Sequence, residues 1–441
     1  MEAITHSVTL DADKCKGCIN CIKRCPTEAI RVRNGKAVIM SDHCIDCGEC
    51  IRICPNHAKK AISDPISIMD NFKYKVALPA PSLYGQFKGN RDANVILTAL
   101  VNVGFDDIYE VALAAQSVSD YTKEILPGAR ALLHGPLISS ACPVIVKLIS
   151  IRYPELMDNV LKIITPAELA AVAARAKAVE ETGLKPEEIG IFFISPCPAK
   201  ITALKHRIGY DEPVVDGIFS FTELHKSLLP AVEKIKEPKD LSKAGIRGIE
   251  WSYSGGEGSA IGENLFVAVD GIDNVIRVLD EVENDKLSNV RFIELNACPG
   301  GCVGGCLAVE NPFVARARIQ RLGMTMDDSK CNNSVDPELL NSNILNWKNT
   351  PECTSILSLD SDRGVAIRKL ADIEALYETL PGIDCGSCGA PSCHALAEDV
   401  ILGTALESDC VFKLRERMGT LFHEMAELQE YMPPPFREIK Q

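Results

Sequence analysis

One cysteine pattern occurs twice near the N-terminus of this chain. Each copy is spaced C-x2-C-x2-C-x3-C and is followed directly by a proline. The first copy contains Cys15, Cys18, Cys21 and Cys25, and the second contains Cys44, Cys47, Cys50 and Cys54. The intervening segment RVRNGKAVIM predicts a β-hairpin that turns at Asn34-Gly35, because this dipeptide tolerates the left-handed backbone of tight hairpin turns. The repeat therefore indicates an internal duplication that presents equivalent sets of four thiols.

The chain of 441 residues contains 19 cysteines, and its other features predict where they are used. Disulfide-rich secreted proteins are usually short, whereas this chain is long and begins MEAITHSVTLDADK, without an apolar signal-peptide core. No apolar run reaches the roughly 18 residues that a membrane-spanning helix needs. The net charge of −13 argues against nucleic acid and membranes as partners, since both select basic surfaces. We therefore expect a cytoplasmic protein with metal-bound thiolates.

Four cysteines at this spacing suit a [4Fe–4S] cluster, and in the two-cluster arrangement the fourth cysteine of each run ligates the other cluster. One cluster is then held by Cys15, Cys18, Cys21 and Cys54, and the other by Cys44, Cys47, Cys50 and Cys25. Zinc is the alternative, but zinc sites seldom use four closely spaced cysteines that end in Cys-Pro, twice over. The stretch resembles a bacterial two-cluster ferredoxin, which predicts a ferredoxin-like α+β domain over residues 1–62.

A third group of four cysteines lies near the C-terminus and comprises Cys385, Cys388, Cys393 and Cys410. A helix is predicted over residues 393–403, between the last two of them. Gly386 and Gly389 permit tight turns that bring amide N–H groups towards cluster sulfurs. The run resembles the small four-cysteine [4Fe–4S] domain of several anaerobic redox enzymes. It predicts a small α-helical Fe–S domain over residues 371–413, with structural zinc as the alternative.

The middle of the chain alternates strand-like apolar runs with amphipathic helices, which is an α/β pattern. Cysteines follow where such runs end: Cys142 after LISSA, Cys197 after IFFISP, and Cys298 after FIELNA, with Cys302 shortly behind. Ligands of α/β folds bind beyond the carboxyl ends of the strands. We therefore predict that these four cysteines meet in one crevice.

Three motifs make the resemblance of this region specific. They are Ser139-Ser140-Ala141-Cys142-Pro143, Ser195-Pro196-Cys197-Pro198-Ala199-Lys200 and Asn296-Ala297-Cys298-Pro299-Gly300-Gly301-Cys302. They resemble the active-site signatures of the [FeFe]-hydrogenases, and a ferredoxin-like domain in front is typical of that family. The resemblance implies a hydrogenase domain over residues 63–370, with two lobes of mainly parallel sheets flanked by helices.

The same resemblance implies an H-cluster, which is a [4Fe–4S] cubane joined to a diiron unit that carries CO, cyanide and a bridging dithiolate. Its ligands are then Cys142, Cys197, Cys298 and Cys302, with Cys302 as the bridge to the diiron unit. Lys200 matches the family lysine that donates to a cyanide, a role that suits a fixed ammonium. Pro81 and Ser82 match the family segment that lies against the same anionic unit.

The chain also departs from the family pattern. Ala141 stands where catalytic members have the cysteine that relays protons, and Ala203 stands where they have a glutamate of the proton path. Ser195 and Asn296 replace two methionines that pack around the diiron unit. A positioned acid or base contributes ~10²–10⁴ in rate, so we expect slow H2 turnover. Such substitutions are typical of the sensory branch of the family.

The C-terminal segment, residues 414–441, reads as an amphipathic heptad helix followed by a proline-rich tail. Apolar residues recur in alternating steps of three and four, at Val411, Leu414, Met418, Leu421, Met425, Leu428 and Met432. This a/d pattern predicts either a homodimer through residues 411–432 or a terminal helix packed on its own core. The sequence leaves both open.

Three functions are compatible with these features. The first is an H2 sensor or redox regulator that slowly and reversibly oxidises H2 and delivers electrons to a ferredoxin-like redox partner or a signalling protein. The second is an ordinary catalytic hydrogenase linked to ferredoxin. The third is a non-enzymatic Fe–S assembly or electron-transfer protein without the diiron unit. Lys200 and the Pro81-Ser82 segment favour the first two, in which hydrogenase maturation enzymes supply that unit.

Overall fold

The computed structural model describes residues 6–89, 92–130, 135–206, 212–348, 359–360 and 362–430. The chain forms two compact units. The first comprises residues 1–9, 44–52 and 60–355, and the second comprises residues 10–43, 53–59 and 356–441. The ferredoxin-like segment therefore contributes to both units, although its sequence pattern reads as one domain. None of the described helices is long and apolar enough to cross a membrane.

The described residues form eleven strands and sixteen α-helices. The strands are β1 (Val8–Leu10), β2 (Ile30–Arg33), β3 (Lys36–Ile39), β4 (Lys59–Ala61), β5 (Tyr74–Pro79), β6 (Asp107–Ile108), β7 (Leu137–Ile138), β8 (Ile189–Ser195), β9 (Gly217–Ser220), β10 (Phe266–Asp270) and β11 (Phe292–Asn296). The helices are α1 (Asn20–Lys23), α2 (Glu49–Ile53), α3 (Ala93–Asn102), α4 (Val111–Arg130), α5 (Pro143–Arg152), α6 (Pro166–Thr182), α7 (Pro198–Lys205), α8 (Phe221–Lys234), α9 (Ile246–Ile249), α10 (Gly256–Ile261), α11 (Ile272–Glu283), α12 (Pro312–Gly323), α13 (Ser342–Leu345), α14 (Arg363–Thr379), α15 (Cys393–Ile401) and α16 (Val411–Glu430).

A four-stranded parallel sheet of order β6-β5-β8-β9 organises one lobe of the first unit. All seven residues of β8 are buried, as expected for a central parallel strand covered on both faces. The rings of Phe192 and Phe219, on β8 and β9, stack with centroids 5.4 Å apart and fill the core beside the sheet. In the register, Pro79 of β5 pairs with Ile194 of β8. The segments that follow β5 and β8 therefore leave the same edge of the sheet.

A three-stranded parallel sheet of order β10-β11-β7 organises the other lobe. Phe292 of β11 pairs with Leu137 of β7, so the Cys142 and Cys298 motifs also leave a common edge. The helices α5 and α11 contribute to the core of this lobe through side chains such as Ile149 and Leu279. The predicted α/β architecture with two parallel-sheet lobes is confirmed.

The second unit contains the predicted hairpin and the C-terminal helices. Strands β2 and β3 pair antiparallel, and both turn residues are left-handed, with φ of 50° at Asn34 and 71° at Gly35. Helix α15 begins after Ser392, whose hydroxyl accepts a hydrogen bond from the Ala395 N–H. It ends at Ile401, two residues before the predicted end, close to Gly403 with its φ of +76°.

Helix α16 follows Cys410 directly and exposes its heptad face. The exposed fractions of five heptad residues lie between 43% and 66%, for Leu414, Met418, Leu421, Met425 and Leu428. The described part of this helix is therefore not packed on its own core. Met432, the last predicted heptad residue, lies outside the described residues.

Candidate metal centre

Four cysteines meet at one cavity in the first unit, where segments from both parallel sheets converge. They are the predicted H-cluster ligands Cys142, Cys197, Cys298 and Cys302. Cys142 and Cys197 directly precede helices α5 and α7, each of which begins with proline. Proline at the first helical position needs no hydrogen-bond acceptor for its nitrogen, so both cysteines are fixed at a sharp transition from loop to helix.

Burial dominates the electrostatics of these thiols. It raises the pKa of Cys197, Cys298 and Cys302, and neighbouring cysteines raise each of them further. The ammonium of Lys200 acts in the opposite direction on Cys302. Crowded buried thiolates need a cationic centre, and a coordinating metal deprotonates its thiols outright. The donor set therefore fits an Fe–S cubane.

The other predicted contacts of the diiron unit line the same cavity. Pro81, Ser82 and Lys200 all belong to its wall. The Ser82 hydroxyl is buried and has no hydrogen-bond partner among the described residues, and the same holds for Ser252, which also lines the cavity. An unpaired buried hydroxyl is costly, so both groups fit a bound species with hydrogen-bond acceptors. Neither charge nor spacing marks Ser252 in the sequence.

The four positions that depart from the family pattern lie at different places in the structure. Ala141 and Asn296 line the cavity. Ser195 does not line it, because its hydroxyl donates to the Cys197 carbonyl at 3.0 Å and accepts from the Cys197 N–H at 3.1 Å. The Ser195 side chain therefore stabilises the loop that carries Cys197 and does not face the cavity. Ala203 lines a separate, smaller cavity next to Lys200.

Two buried carboxyl groups that the sequence analysis did not single out, Glu257 and Glu294, also line the cavity. Glu294 accepts hydrogen bonds from the N–H groups of Gly255 and Gly258 and from the Asn296 amide, at 2.9 to 3.0 Å. Burial and the charge of Glu294 raise the pKa of Glu257 to about 8. Burial raises the pKa of Glu294 as well, so the pair of carboxyl groups favours retention of a proton. A charged residue inside the buried apolar strand FIELN was the available signal for Glu294.

The second ferredoxin-type loop lies beside the cubane loop in the first unit. The Arg52 guanidinium donates two hydrogen bonds, one from Nη2 to the Gly304 carbonyl at 3.0 Å and one from Nε to the Glu49 carboxylate at 3.1 Å. Cys306 packs closely against Gly48. A Cβ atom added to Gly48 would overlap the Cys306 sulfur. Burial raises the pKa of Cys306 to about 12, so it remains a neutral thiol. The loop of Cys47 and Cys50 therefore packs against the segment that follows Cys302.

The second unit contains the first cysteine run together with Cys54. Amide N–H groups point at the sulfurs, from Ala37 to Cys15 at 3.5 Å and from Ala58 to Cys54 at 3.3 Å. Burial opposes ionisation of Cys54, but backbone donors outweigh it and lower its pKa. Such N–H donors are typical of cluster thiolates. The assignment of Cys25 to the second cluster stays a prediction.

The C-terminal cysteines also lie in the second unit. Cys393 and Cys410 are buried, whereas Cys385 and Cys388 are half-buried. Hydrogen bonds from Ser387 lower the pKa of Cys385, which favours its thiolate form. Three of the four ligands sit at the turn before α15 and at its start, and the fourth directly precedes α16. This arrangement fits a compact four-thiolate site.

Comparison with known proteins identifies the family. Residues 73–262 and 231–306 match the family described as iron-only hydrogenase large subunit, C-terminal domain, which together is more than half of the chain. The chain therefore belongs to the iron-only hydrogenase family. Residues 7–55 match a 4Fe-4S dicluster domain, and residues 380–412 match the FeS family of Fe–S cluster domains.

Individual relatives agree with this assignment. Iron hydrogenase 1 of Clostridium pasteurianum is 25% identical over 378 residues, which cover 68% of this chain and 64% of the relative. The chain thus spans slightly less than two thirds of that protein. The periplasmic [Fe] hydrogenase large subunit of Nitratidesulfovibrio vulgaris is 26% identical over 364 residues, which cover 68% of this chain and 86% of the relative.

Solved structures confirm the fold. An [FeFe]-hydrogenase from Chlamydomonas reinhardtii superimposes with a TM-score of 0.51 at 14% identity, covering 66% of this chain and 97% of that structure. At this level of identity, the likeness supports the predicted fold of the central domain and carries no residue-level argument.

Proposed function

We propose that this protein interconverts H2 with protons and electrons at a low rate and serves as an H2 sensor or redox regulator. The observation that carries the proposal is the cavity itself. It joins four cysteines, of which Cys197 is buried and the other three are half-buried, to a lysine and two unpaired hydroxyls, yet has an alanine where the thiol relay of catalytic members would stand.

The residues of the cavity have distinct tasks in this proposal. Cys142, Cys197, Cys298 and Cys302 would hold the cubane, with Cys302 as the cysteine shared with the diiron unit. Lys200, on the first turn of α7, and the hydroxyls of Ser82 and Ser252 bind the anionic ligands of that unit. When bound, the H-cluster supplies heterolytic cleavage of H2.

Proton movement depends on groups that belong to the chain. Ala141 has no exchangeable side-chain proton, so the family's usual relay is interrupted there. Glu257 holds a proton at the cavity wall and is linked to the same motif through Ser139. The Glu257 carboxyl group can supply protons in place of the thiol, but it lies at a different position. Proton transfer is then less direct, which is consistent with a slow reaction.

Glu257 also favours a second candidate function, that of a catalytic ferredoxin-linked hydrogenase with a substitute proton path. The measured rate separates the two, since a sensor needs only slow turnover. The non-enzymatic alternative is disfavoured, because Lys200 and two orphaned hydroxyls would then face the cavity without a ligand.

The proposal includes partners and location. We place the protein in the cytoplasm, where maturation enzymes supply the diiron unit and where a redox or signalling protein reads the state of the clusters. The exposed heptad face of α16 supports a homodimer. H2 and protons are the substrates.

Infrared spectroscopy tests the central claim. After the protein has been reconstituted with iron and sulfide and exposed to a competent diiron precursor, CO and CN stretching bands are expected. Slow H2 uptake with a dye as the electron acceptor should accompany them. Absence of the bands would refute both hydrogenase functions, and turnover as fast as that of catalytic members would refute the sensor function.

A further inference from the structure

The C-terminal four-cysteine domain packs on the first-run half of the ferredoxin-like segment within the second unit. The Val32 N–H, on strand β2, donates to the Gly389 carbonyl at 2.7 Å. The Arg33 guanidinium donates to the Cys388 carbonyl at 3.3 Å. Gly389 has a φ of +82°, and a Cβ there would collide with the Val32 carbonyl. Strand β2 and the C-terminal cysteine loop therefore meet through the backbone.

A buried ion pair fixes this contact. The Arg31 guanidinium lies 2.7 Å from the Asp399 carboxylate, and both side chains are 6% exposed. Arg33 contacts the same carboxylate. Lys23 adds hydrogen bonds to the carbonyls of Asp384 and Pro391. Because separation would leave these charges unpaired, we regard the contact as permanent.

The contact brings two cluster-ligand loops together. Ile22 directly follows Cys21 of the first run, and Gly386 directly follows Cys385 of the C-terminal group. A Cβ on Gly386 would lie 3.4 Å from the terminal methyl of Ile22, which is buried. The side chains of Ile22 and Lys23, which directly follow Cys21, thus lie against the C-terminal cysteine loop. Within the second unit, the residues that would hold the C-terminal cluster are therefore neighbours of the residues that would hold the first ferredoxin-type cluster.

The C-terminal domain is acidic, and this charge favours a partner with a basic surface. Residues 371–410 contain eight acidic residues and neither lysine nor arginine. Six of the eight are exposed, namely Asp372, Glu374, Glu378, Asp384, Glu407 and Asp409. The exposed Cys18 of the first run lies instead among the exposed basic residues Lys14, Lys16 and Arg24. Opposite charge accelerates protein encounter and like charge suppresses it.

We propose that the C-terminal domain is the surface at which this protein exchanges electrons, and that it docks a one-electron redox protein with a basic contact face. In each transfer the C-terminal cluster is oxidised from [4Fe–4S]¹⁺ to [4Fe–4S]²⁺, and the partner's centre gains that electron. One H2 supplies two such electrons and releases two protons. The inference rests on the proposed function in one respect, namely that H2 is the source of the electrons.

The test uses protein that carries its cubanes but not the diiron unit, so that H2 chemistry plays no part. The protein is photoreduced with a deazaflavin, freed of small molecules and mixed in a stopped-flow instrument with a basic c-type cytochrome or with an acidic two-[4Fe–4S] ferredoxin. The surface variant combines Glu374→Gln, Glu378→Gln and Glu407→Gln. Its control removes the same charge from exposed positions of the first unit, through Glu155→Gln, Asp158→Asn and Glu187→Gln.

At low ionic strength, the surface variant should reduce the cytochrome about tenfold more slowly than wild type. The control should match wild type, and the difference should vanish in high salt. Equal effects of the two triple variants would overturn the proposal, since long-range net charge would then explain the rates.

Replacing one cysteine of the C-terminal group tests whether electrons leave the protein through the C-terminal cluster. Cys385→Ala should contain four fewer irons per chain and should lose rapid reduction of the cytochrome. An unchanged rate in that variant, or faster electron transfer from wild type to the ferredoxin than to the cytochrome, would assign the exit to the basic Cys18 edge and refute the proposal. If Cys385→Ala fails to fold, the charge variants still decide the question.

Discussion

The Ser139 hydroxyl donates to the carboxyl group of Glu257, with Oγ–Oε distances of 2.8 and 2.7 Å. The same Ser139 oxygen accepts a hydrogen bond from the Ala141 N–H at 3.1 Å. The position that lacks the relay thiol is thus connected through one hydroxyl to a buried carboxyl group whose pKa is raised. This connection sets the expectations for proton transfer in the loaded protein.

Replacing Glu257 by glutamine should lower H2 turnover by about 10²-fold, because a positioned acid or base is lost while the Ser139 hydrogen bond can persist. The measurement is isotope exchange between H2 and D2O in the loaded protein, with infrared bands recorded to show equal loading. Glu283→Gln, at an exposed position at the end of α11, is the control and should leave the rate unchanged. Equal rates in the Glu257 variant and wild type would show that protons take another route.

The same carboxyl group should make the stability of the first unit depend on pH. Its folded pKa of about 8 lies above its ordinary value of 4.5, so the folded state binds the extra proton between these values. The resulting stabilisation is complete below pH 4.5 and is lost as pH rises through 8. Wild type should therefore lose more stability than Glu257→Gln between pH 6 and pH 8.5.

Tryptophan fluorescence provides the measurement, since Trp251 and Trp347 both lie in the first unit. Thermal midpoints are compared at the two pH values in protein that carries the cubanes without the diiron unit. Parallel shifts of wild type and Glu257→Gln would contradict the assignment of the proton to Glu257.

Restoring the relay thiol through Ala141→Cys should raise H2 turnover, by up to ~10²–10⁴ if proton transfer limits the rate. Ala141 lines the cavity, so a thiol on this residue would face the bound group. Ala141→Ser is the matched control, because it adds a similar volume with a much weaker acid, and it should gain far less. Rates that stay at the wild-type level in both variants would mean that another step limits turnover.

The sequence was sufficient for features that depend on local spacing. The cysteine runs, the Asn34-Gly35 hairpin and the parallel α/β pattern all express short-range regularities, and the structure contains the hairpin and both parallel sheets. Cys142, Cys197 and Cys298 were found because each follows a strand-like run, and the ends of parallel strands converge. Cys302 was found because it lies four residues after Cys298.

Other features were missed because they join distant parts of the chain. Ser139 and Glu257 are 118 positions apart, and Arg31 and Asp399 are 368 apart, so no periodicity links either pair. The alignment of motifs placed Ser195 at the cavity, but its hydroxyl turns back to the Cys197 loop, a choice made by local hydrogen bonding.

Removing the charge of Asp399 should loosen the contact between β2 and the C-terminal domain. The variant Asp399→Asn leaves Arg31 buried without a counter-charge, and breaking a buried pair typically costs about 3–5 kcal/mol. Hydrogen exchange measured by mass spectrometry should show faster exchange of amides in residues 30–39. Asp372→Asn, which alters an exposed carboxylate on α14, is the control, and equal protection in the two variants would show that the pair does not hold this contact.

The heptad face of α16 should mediate dimerisation, because its half-exposed leucine and methionine side chains would gain burial against the same face of a second copy. Light scattering should give about twice the 47.9 kDa of one chain for wild type. Leu421→Lys places a charge at a d position and should yield monomers, as should deletion of residues 411–441. Thr420→Lys, at an outer position of the same turn, should remain dimeric. A monomeric wild type, or a dimer that survives the deletion, would exclude α16 as the dimer contact.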